Sequence, residues 1–104
     1  MNSGYTSVFR FRVTIVFVRV FVLARVCQRH PELTTGDVLS AFENHFLHAQ
    51  RTNGSWLGIG TDSRGRDIEM LYRIENDEVL IYRAFTPPTK KFLREIAQLQ
   101  RRKH

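Results

Sequence analysis

Residues 56–91 read WLGIGTDSRGRDIEMLYRIENDEVLIYRAFTPPTKK. The secondary structure is indicated most clearly in this part of the chain. This stretch holds three runs of β-branched, aromatic and other apolar residues, each bounded by residues that favour turns. We predict three strands, at about residues 55–61, 67–74 and 79–85. The turns between them, around Ser63-Arg64-Gly65 and at Asn76-Asp77, are short. Short loops of this kind favour an antiparallel meander.

The end of the same stretch predicts a basic helix. Thr86-Pro87-Pro88 stops the last strand and begins a helix, because proline fits the first helical turn, where its missing amide costs nothing. One face of this helix is apolar, with Phe92, Leu93, Ile96 and Leu99. Its other positions carry Lys90, Lys91, Arg94, Arg101, Arg102 and Lys103. We therefore expect a helix that packs on the sheet through one side and is basic elsewhere.

Ahead of the meander, the pattern predicts one strand and two helices. Residues 8 to 18 alternate, which is typical of a strand with one buried face. That face carries Phe9, Phe11, Val13, Ile15 and Phe17. From about Phe21 the spacing becomes helical and continues to Pro31. A capping box of Thr34 and Asp37 then begins a helix over residues 35 to 47. The apolar stripe of this helix is Val38, Leu39, Phe42 and Phe46.

The predicted fold class is α+β, as a single domain covering residues 1–104. A small antiparallel sheet contains the N-terminal strand and the three-strand meander, with two helices before the meander and the basic helix after it. Residues 1–22 are the N-terminal strand or an atypical extension, and residues 23–104 form the core of the domain. A chain of 104 residues is long enough for one modest core and too short for two.

Charge and cysteine content limit the partners and the compartment. The net charge is +6 and the pI is about 10.2, so we expect an anionic partner, with nucleic acid or an acidic protein first and a membrane surface after them. Cys27 is the single cysteine, so no internal disulfide forms. Arg10, Arg12, Arg19 and Arg25 interrupt the apolar stretch from Val8 to Val26, which disfavours a membrane span. Arg19 and Arg25 also fall where a signal peptide would have its apolar core and cleavage site, which disfavours a signal peptide. We expect a cytoplasmic protein without membrane attachment.

The sequence predicts neither a metal nor another cofactor. The histidines lack companions at the spacing of a zinc site, and they are His30, His45, His48 and His104. His45 and His48 would share one helix face, which could hold a metal only with further ligands, and a solvated helix end is the alternative. No phosphate-binding loop, dinucleotide fingerprint or nucleophile elbow is present.

The arginines of the meander are the strongest candidates for binding an anion. Arg73 and Arg83 lie on its second and third strands, and Arg64 and Arg66 lie at the turn beside them. Clustered guanidinium groups bind phosphate through paired hydrogen bonds and stabilise the charge of a pentacovalent phosphorane. Such a phosphorane forms when an RNA 2′-hydroxyl attacks its own phosphodiester. Solvated turn arginines are the alternative interpretation.

Aromatic and proton-transferring residues complete the candidate set. Trp56, Tyr72 and Tyr82 could stack on RNA bases, or they could pack in the core. Cleavage by a 2′-hydroxyl needs one proton removed and one donated. The candidates for this role are His30, His48, Lys90 and Lys91. The alternatives are that His30 is the polar end of the first helix, held against Pro31, and that the two lysines are solvated. The two lysines would oppose the dipole of the helix that they begin, a local cost that sometimes marks a phosphate-binding position.

One set of motifs resembles a known family. It runs from Trp56-Leu-Gly-Ile-Gly60 through Ser63-Arg64-Gly65-Arg66 to an apolar strand that ends in Tyr72, and then to a strand that ends in Ala84 before a basic helix. With Arg29-His30-Pro31-Glu32-Leu33-Thr34 ahead of it, this order resembles the BrnT family of toxins, which belong to the RelE/ParE-like group. The resemblance covers roughly residues 23 to 95.

The resemblance implies a RelE-like fold and a metal-independent endoribonuclease, the toxin of a type II toxin–antitoxin system. It also implies a cognate antitoxin, often a ribbon-helix-helix protein, and a homodimer or a toxin–antitoxin hetero-oligomer. Trp56, Arg66 and Tyr72 occupy family positions, and Arg83 lies near the family's active strand end. The family usually has Ala-Arg-Lys where this chain has Ala84-Phe85-Thr86, so an expected active-site arginine is absent.

Two functions follow as hypotheses. In the first, the chain cleaves RNA, with catalytic roles for Arg66, Arg83, Lys90 and His30, and with RNA-binding roles for Arg64, Arg73, Trp56, Tyr72 and Lys91. In the second, the same fold binds nucleic acid or an acidic protein without catalysis. A third interpretation, membrane association of residues 8 to 24, requires an exposed helix in place of the paired strand.

Overall fold

The fold is α+β, with one mixed sheet and three helices. The computed structural model describes the backbone of residues 2–11 and 14–102 and the side chains of residues 18–102. In chain order the elements are β1 (Asn2–Phe11), β2 (Thr14–Leu23), α1 (Ala24–Arg29), α2 (Thr35–Glu43), β3 (His45–Gln50), β4 (Trp56–Thr61), β5 (Asp67–Glu75), β6 (Glu78–Phe85) and α3 (Lys90–Arg101). The six strands lie in the order β1-β2-β6-β5-β4-β3.

The predicted meander is confirmed. Both β4 and β6 pair with β5 in antiparallel fashion, as short turns require. Asn76 and Asp77 form the second turn with φ of 52° and 61°, a left-handed conformation that asparagine and aspartate tolerate better than most residues. Gly65 adopts φ of 81° in the first turn, where a side chain would be strained.

The prediction of a purely antiparallel sheet is wrong at one strand pair. β2 runs parallel to β6, with Arg19 opposite Glu78 and Val22 opposite Ile81. Between these two strands the chain passes through α1, α2 and three further strands, so no tight hairpin forces them to run in opposite directions.

The N-terminal strand differs from its predicted bounds. Residues 2–11 and 14–23 form two antiparallel strands, β1 and β2, where one strand over residues 8 to 18 was expected. The helix expected from about Phe21 begins at Ala24, because the preceding residues pair with β6. The predicted inward face of Phe9, Phe11, Val13, Ile15 and Phe17 lies outside the side chains that the structure describes.

The capping box that begins α2 is confirmed, but the end predicted for this helix is wrong. Thr34 Oγ1 accepts from the Asp37 amide at 3.0 Å, and Asp37 Oδ2 accepts from the Thr34 amide at 2.9 Å. The helix ends at Glu43, and residues 45–50 form β3. Phe46, expected in the helix stripe, is 58% exposed. Pairing with β4 outweighs the helical spacing there, since strand formation depends on neighbours that local sequence does not reveal.

Hydrophobic cores lie on both faces of the sheet. One joins β2, β5 and β6 to α1 and α2, and its largest members include Val26, Leu33, Phe42, Met70, Tyr72 and Ile81. The other joins β3, β4 and β5 to α3 through Leu57, Ile59, Leu71, Phe92 and Ile96. Gly60 lets α2 approach β4 closely, because a Cβ there would stand 1.8 Å from the carbonyl oxygen of Ala41.

The last helix starts two residues beyond the prolines. Thr89 is its N-cap and accepts from the Phe92 amide, and Glu69 Oε1 accepts from the Thr89 amide at 2.8 Å. Pro87 and Pro88 therefore precede α3 and do not lie in its first turn. In the part of the chain that the structure describes, no helix combines the length and the apolar character needed to cross a membrane.

Candidate functional site

A cleft opens at the point where β6 extends beyond β2. The two strands pair only as far as Val22 and Ile81, after which the chain turns into α1 while β6 continues to Phe85. The space between α1 and the end of β6 has a volume of about 250 Å³. It is lined by Arg25, Val26, Arg29, His30, Tyr82, Arg83 and Ala84. Helix and strand together thus form the walls of one small cleft.

Three arginines line this cleft, and their guanidinium groups favour an anion as its occupant. Arg25 and Arg29 are four residues apart on α1, a spacing that places both on the same side of a helix. Between them Val26 is buried, which fixes the helix on the core. Arg83 is exposed on β6, beside the buried Ala84. Buried apolar neighbours therefore anchor both walls that carry the arginines.

The arginines of the chain fall into two groups according to their partners. Arg19, Arg51, Arg64 and Arg66 each form an ion pair with a carboxylate. By contrast, the three arginines of the cleft make no hydrogen bond or ion pair with the described part of the chain. Among the described residues no carboxylate pairs with them, and three cations that line one cleft concentrate positive potential there.

His30 supplies the imidazole ring of the cleft. It follows the last residue of α1, and its side chain is 28% exposed. Its Nδ1 lies 3.4 Å from Glu32 Oε1, and its ring meets the ring of Phe85 edge-on at 5.0 Å. Glu32 and Phe85 thus orient the imidazole from two sides. Nε2 is the ring nitrogen that Glu32 does not engage, so it is the one suited to exchange a proton with a ligand.

Arg64 and Arg66, expected to hold phosphate, both form ion pairs with Asp37, and the Arg64 side chain remains half-exposed. Both donate to Asp37 Oδ2, Arg66 from Nη2 at 3.0 Å. The hydrogen bond from Arg64 lowers the pKa of Asp37 from 3.8 to about 2, helped by the capping bonds with Thr34 and opposed by burial. Two guanidinium groups that already hold a carboxylate are poorly placed to take a phosphate.

The cluster that Asp37 forms with Arg64 and Arg66 also supports the segment that carries His30. Arg66 Nε donates to Asp62 Oδ2 at 2.9 Å, and Arg66 Nη1 donates to the carbonyl oxygen of Glu32 at 3.1 Å. Burial would raise the pKa of Asp62, but the bonds from Arg66 and Arg64 outweigh burial and lower it. Arg66 thereby ties the turn between β4 and β5 to the segment after α1.

Trp56 and Tyr72, expected to stack on bases, stack on each other. Their rings lie 6.1 Å apart and within 8° of parallel, and Tyr72 is 3% exposed. Phe42 and His45 contact the Tyr72 ring from α2 and β3. Burial raises the pKa of Tyr72. This placement corresponds to the alternative of core packing for both residues.

The other candidate residues are not among those that line the cleft. Lys90 and Lys91 are exposed in the first turn of α3, and Arg73 is exposed on β5 opposite Leu80. His48 lies on β3, with its ring 5.5 Å from the ring of His45. The shared helix face expected for these two histidines is absent, because β3 is a strand. Among the residues described, no three His, Cys, Asp or Glu side chains form a group that could hold a metal.

Sequence reasoning missed Arg25 and Arg29 as site residues. Only their spacing on the helix before Pro31 was available as a signal, and it is indistinguishable from a solvated helix face. The comparisons name no relative that would assign these residues a role: no family model matches the chain, and neither a curated protein nor a solved structure is significantly similar to it. The cleft is therefore argued from its own chemistry.

Proposed function

We propose that the cleft between α1 and β6 binds a phosphodiester of RNA and that the protein cleaves the strand there. One observation carries this proposal: Arg25, Arg29 and Arg83 line one cleft without any partner in the described chain, while four other arginines are paired with carboxylates. Unpaired guanidinium groups that converge are suited to an anion with several oxygens, since each forms two parallel hydrogen bonds to it.

The residues of the cleft supply the chemistry that internal cleavage of RNA needs. Attack of a 2′-hydroxyl on the neighbouring phosphorus breaks the bond to the 5′-oxygen, which takes a proton from Tyr82 or from water and leaves as a 5′-hydroxyl, and the other product ends in a 2′,3′-cyclic phosphate. Arg29 and Arg83 would stabilise the additional negative charge of the phosphorane. His30 Nε2 would accept the proton of the 2′-hydroxyl, while Glu32 beside Nδ1 stabilises the imidazolium that forms.

The biological role that we propose is that of a toxin in a type II toxin–antitoxin system, acting on RNA in the cytoplasm. The support is the resemblance of the Ser63-Arg64-Gly65-Arg66 and Tyr72 motifs to BrnT toxins, together with the basic cleft. A cognate antitoxin, for which a ribbon-helix-helix protein is the expectation, would then neutralise the chain. Such a partner is expected to cover the cleft or to bind beside it.

A second candidate is RNA binding without cleavage, and one feature of the cleft favours it. His30 is the single imidazole in its lining, whereas cleavage needs one group to remove a proton and another to donate one. Phe85 also stands where the BrnT pattern has arginine. Tyr82, which lines the cleft as well, is the remaining group there with a transferable proton.

The end groups of RNA products distinguish the two candidates. We would incubate the purified protein with a defined RNA in the presence of EDTA and identify product ends by mass spectrometry. Wild type should yield 2′,3′-cyclic phosphate ends, and His30→Gln should reduce the cleavage rate by at least about 100-fold while RNA binding is retained. Arg19→Gln, which changes an arginine outside the cleft, serves as the control and should cleave as wild type does.

Each result of that assay decides between the candidates. Intact RNA with wild-type protein that nevertheless binds the RNA would favour the binding module. Equal cleavage by wild type and His30→Gln would remove His30 from the mechanism. Induced expression in a bacterium tests the toxin role, since growth should arrest with wild type and continue with Arg83→Ala.

A further inference from the structure

A second basic surface lies on α3, away from the residues that line the cleft. At 3.6 residues per turn, Lys90, Arg94 and Arg101 project within about 40° of one another and extend over about 16 Å of helix. All three are exposed, and Ala97 between the two arginines is exposed as well. We name this row of three cations the α3 stripe. It presents a continuous line of positive charge to solvent.

No carboxylate of α3 neutralises the stripe. Glu95 is the sole acidic residue of the helix, and Arg51 engages both of its oxygens, at 2.7 and 2.9 Å. The hydrogen bonds from Arg51 lower the pKa of Glu95, and the negative charge of Glu95 is paired with Arg51. Lys90, Arg94 and Arg101 form no ion pair with the described residues. A line of unpaired cations on a rigid helix fits a polyanion.

Packing of α3 decides between a nucleic acid and a membrane surface. An amphipathic helix that binds a membrane inserts its apolar side between the lipids. Phe92 and Ile96, on the apolar side of α3, are 6% and 2% exposed because they pack on the sheet. Most of the apolar side is thus occupied by the sheet, although Leu93 beside it is 44% exposed. These observations favour the phosphate backbone of a nucleic acid.

Contacts within the fold connect the start of the stripe with the cleft. Thr89, which caps α3, donates its amide to Glu69, and Glu69 is paired with Phe85 across β5 and β6. Phe85 in turn contacts the ring of His30 in the cleft. The helix therefore begins beside the end of β6 that forms one wall of the cleft. Lys90 is the first residue of α3 and therefore the member of the stripe nearest in sequence to this end of β6.

We infer that an RNA strand held in the cleft continues along α3 and places successive phosphates against Lys90, Arg94 and Arg101. This inference rests on the proposed function, because the strand is anchored in the cleft. It assigns Arg94 and Arg101 a role in binding long RNA, independent of the proton transfer at His30. Short RNA that fills the cleft alone does not reach the stripe.

Binding of two uncleavable RNAs tests the inference. Labelled 2′-O-methyl trinucleotide and dodecanucleotide would be titrated with wild type, with Arg94→Gln/Arg101→Gln and with the control Arg19→Gln/Asn76→Asp, which lowers the net charge by the same two units, each at several salt concentrations. The stripe variant should bind the dodecanucleotide several-fold more weakly than wild type. The slope of log K against log salt should fall by about 1.4 in magnitude, since each phosphate contact to a single strand contributes roughly 0.7. Its affinity for the trinucleotide should equal that of wild type.

Other results would overturn the inference, and they are separable from failure of the cleft. Equal weakening by the stripe variant and the control would show a general effect of net charge, and unchanged binding by the stripe variant would show that α3 is not used. A loss of binding to anionic vesicles in the stripe variant, with RNA binding intact, would assign the surface to membranes. If Arg29→Gln/Arg83→Gln binds both RNAs as wild type does, the proposal that the cleft binds RNA is wrong. The comparison of wild type with the stripe variant then still tests whether α3 binds RNA.

Discussion

The imidazole of His30 meets the phenyl ring of Phe85 edge-on, with ring centroids 5.0 Å apart and planes inclined by 70°. This contact joins the end of α1 to the end of β6 at the cleft. Phe85 is half-buried there, so it orients His30 without adding charge. The Phe85 ring therefore serves as an apolar support for the imidazole.

Replacing this ring by a guanidinium group tests what the position can contribute. Phe85→Arg should add a further cation to the cleft and raise the rate of RNA cleavage, or RNA affinity if the protein does not cleave, by about tenfold. The control is Phe85→Leu, which keeps an apolar side chain without new charge and should lower stability slightly. Slower cleavage and weaker binding in the folded Phe85→Arg protein would count against an anionic ligand at this end of the cleft.

The Asp37 cluster should make stability depend on pH in the acidic range. The folded-state pKa of Asp37, about 2, lies below its ordinary value of 3.8. The Asp37 carboxylate therefore stabilises the fold above about pH 4, and this contribution is lost as the pH falls toward 2. Asp37→Asn should cost about 1–3 kcal/mol at pH 7, reduced by the solvent around the half-exposed Arg64. Urea unfolding at a series of pH values measures both effects.

Asp77→Asn is the matched control for that series, because it neutralises an exposed turn aspartate where asparagine also tolerates positive φ. Its stability should follow that of wild type across the acidic range. If wild type and Asp37→Asn lost stability in parallel below pH 4, the Asp37 cluster would contribute nothing to the pH dependence of stability in that range.

Close packing of α2 on β4 depends on Gly60. A methyl group at this position would overlap the Ala41 carbonyl, so Gly60→Ala should lower the free energy of unfolding by about 3 kcal/mol or more. Gly36→Ala places the same methyl group 3.8 Å from Thr34 Oγ1, an ordinary contact, in the first turn of α2. It should be neutral or stabilise the protein by up to about 1 kcal/mol. Thermal unfolding that ranks the two variants equally would refute the close approach.

The ion pair between Arg51 and Glu95 fastens α3 to the segment that follows β3. Both side chains are about one-third exposed, and two parallel hydrogen bonds join them. A double-mutant cycle with Arg51→Gln and Glu95→Gln should give a coupling energy of about 1 kcal/mol that decreases in high salt. Coupling indistinguishable from zero at low salt would mean that the two residues stabilise the protein independently.

The meander was predictable because its evidence is local. Strands that alternate and turns such as Asn76-Asp77 depend on residues within a few positions of each other. By contrast, β3 was not predictable from the sequence, because Phe42 and Phe46 have helical spacing. Only pairing with β4 makes a strand of residues 45–50. The parallel pairing of β2 with β6 likewise depends on residues about 60 positions apart in sequence.

The candidate site was predictable in part. His30 and Arg83 were selected for their chemistry, and the structure brings both into one cleft. Arg64 looks equivalent to Arg83 in the sequence, yet its partner Asp37 lies 27 residues away. Tertiary contacts of this kind decide which of the described arginines pairs with a carboxylate, and local sequence does not show them. Arg25 and Arg29 could be recognised only once α1 was placed against β6.

We propose that the arginines of the cleft, and not those of the turn, bind RNA phosphate. The most direct measurement is the dissociation constant of a 2′-O-methyl trinucleotide for wild type, Arg83→Gln and Arg64→Gln, with folding of each variant checked by circular dichroism. We predict that Arg83→Gln binds at least about tenfold more weakly than wild type, while Arg64→Gln binds as wild type does. Unchanged binding in Arg83→Gln, with weaker binding in a folded Arg64→Gln protein, would contradict the claim.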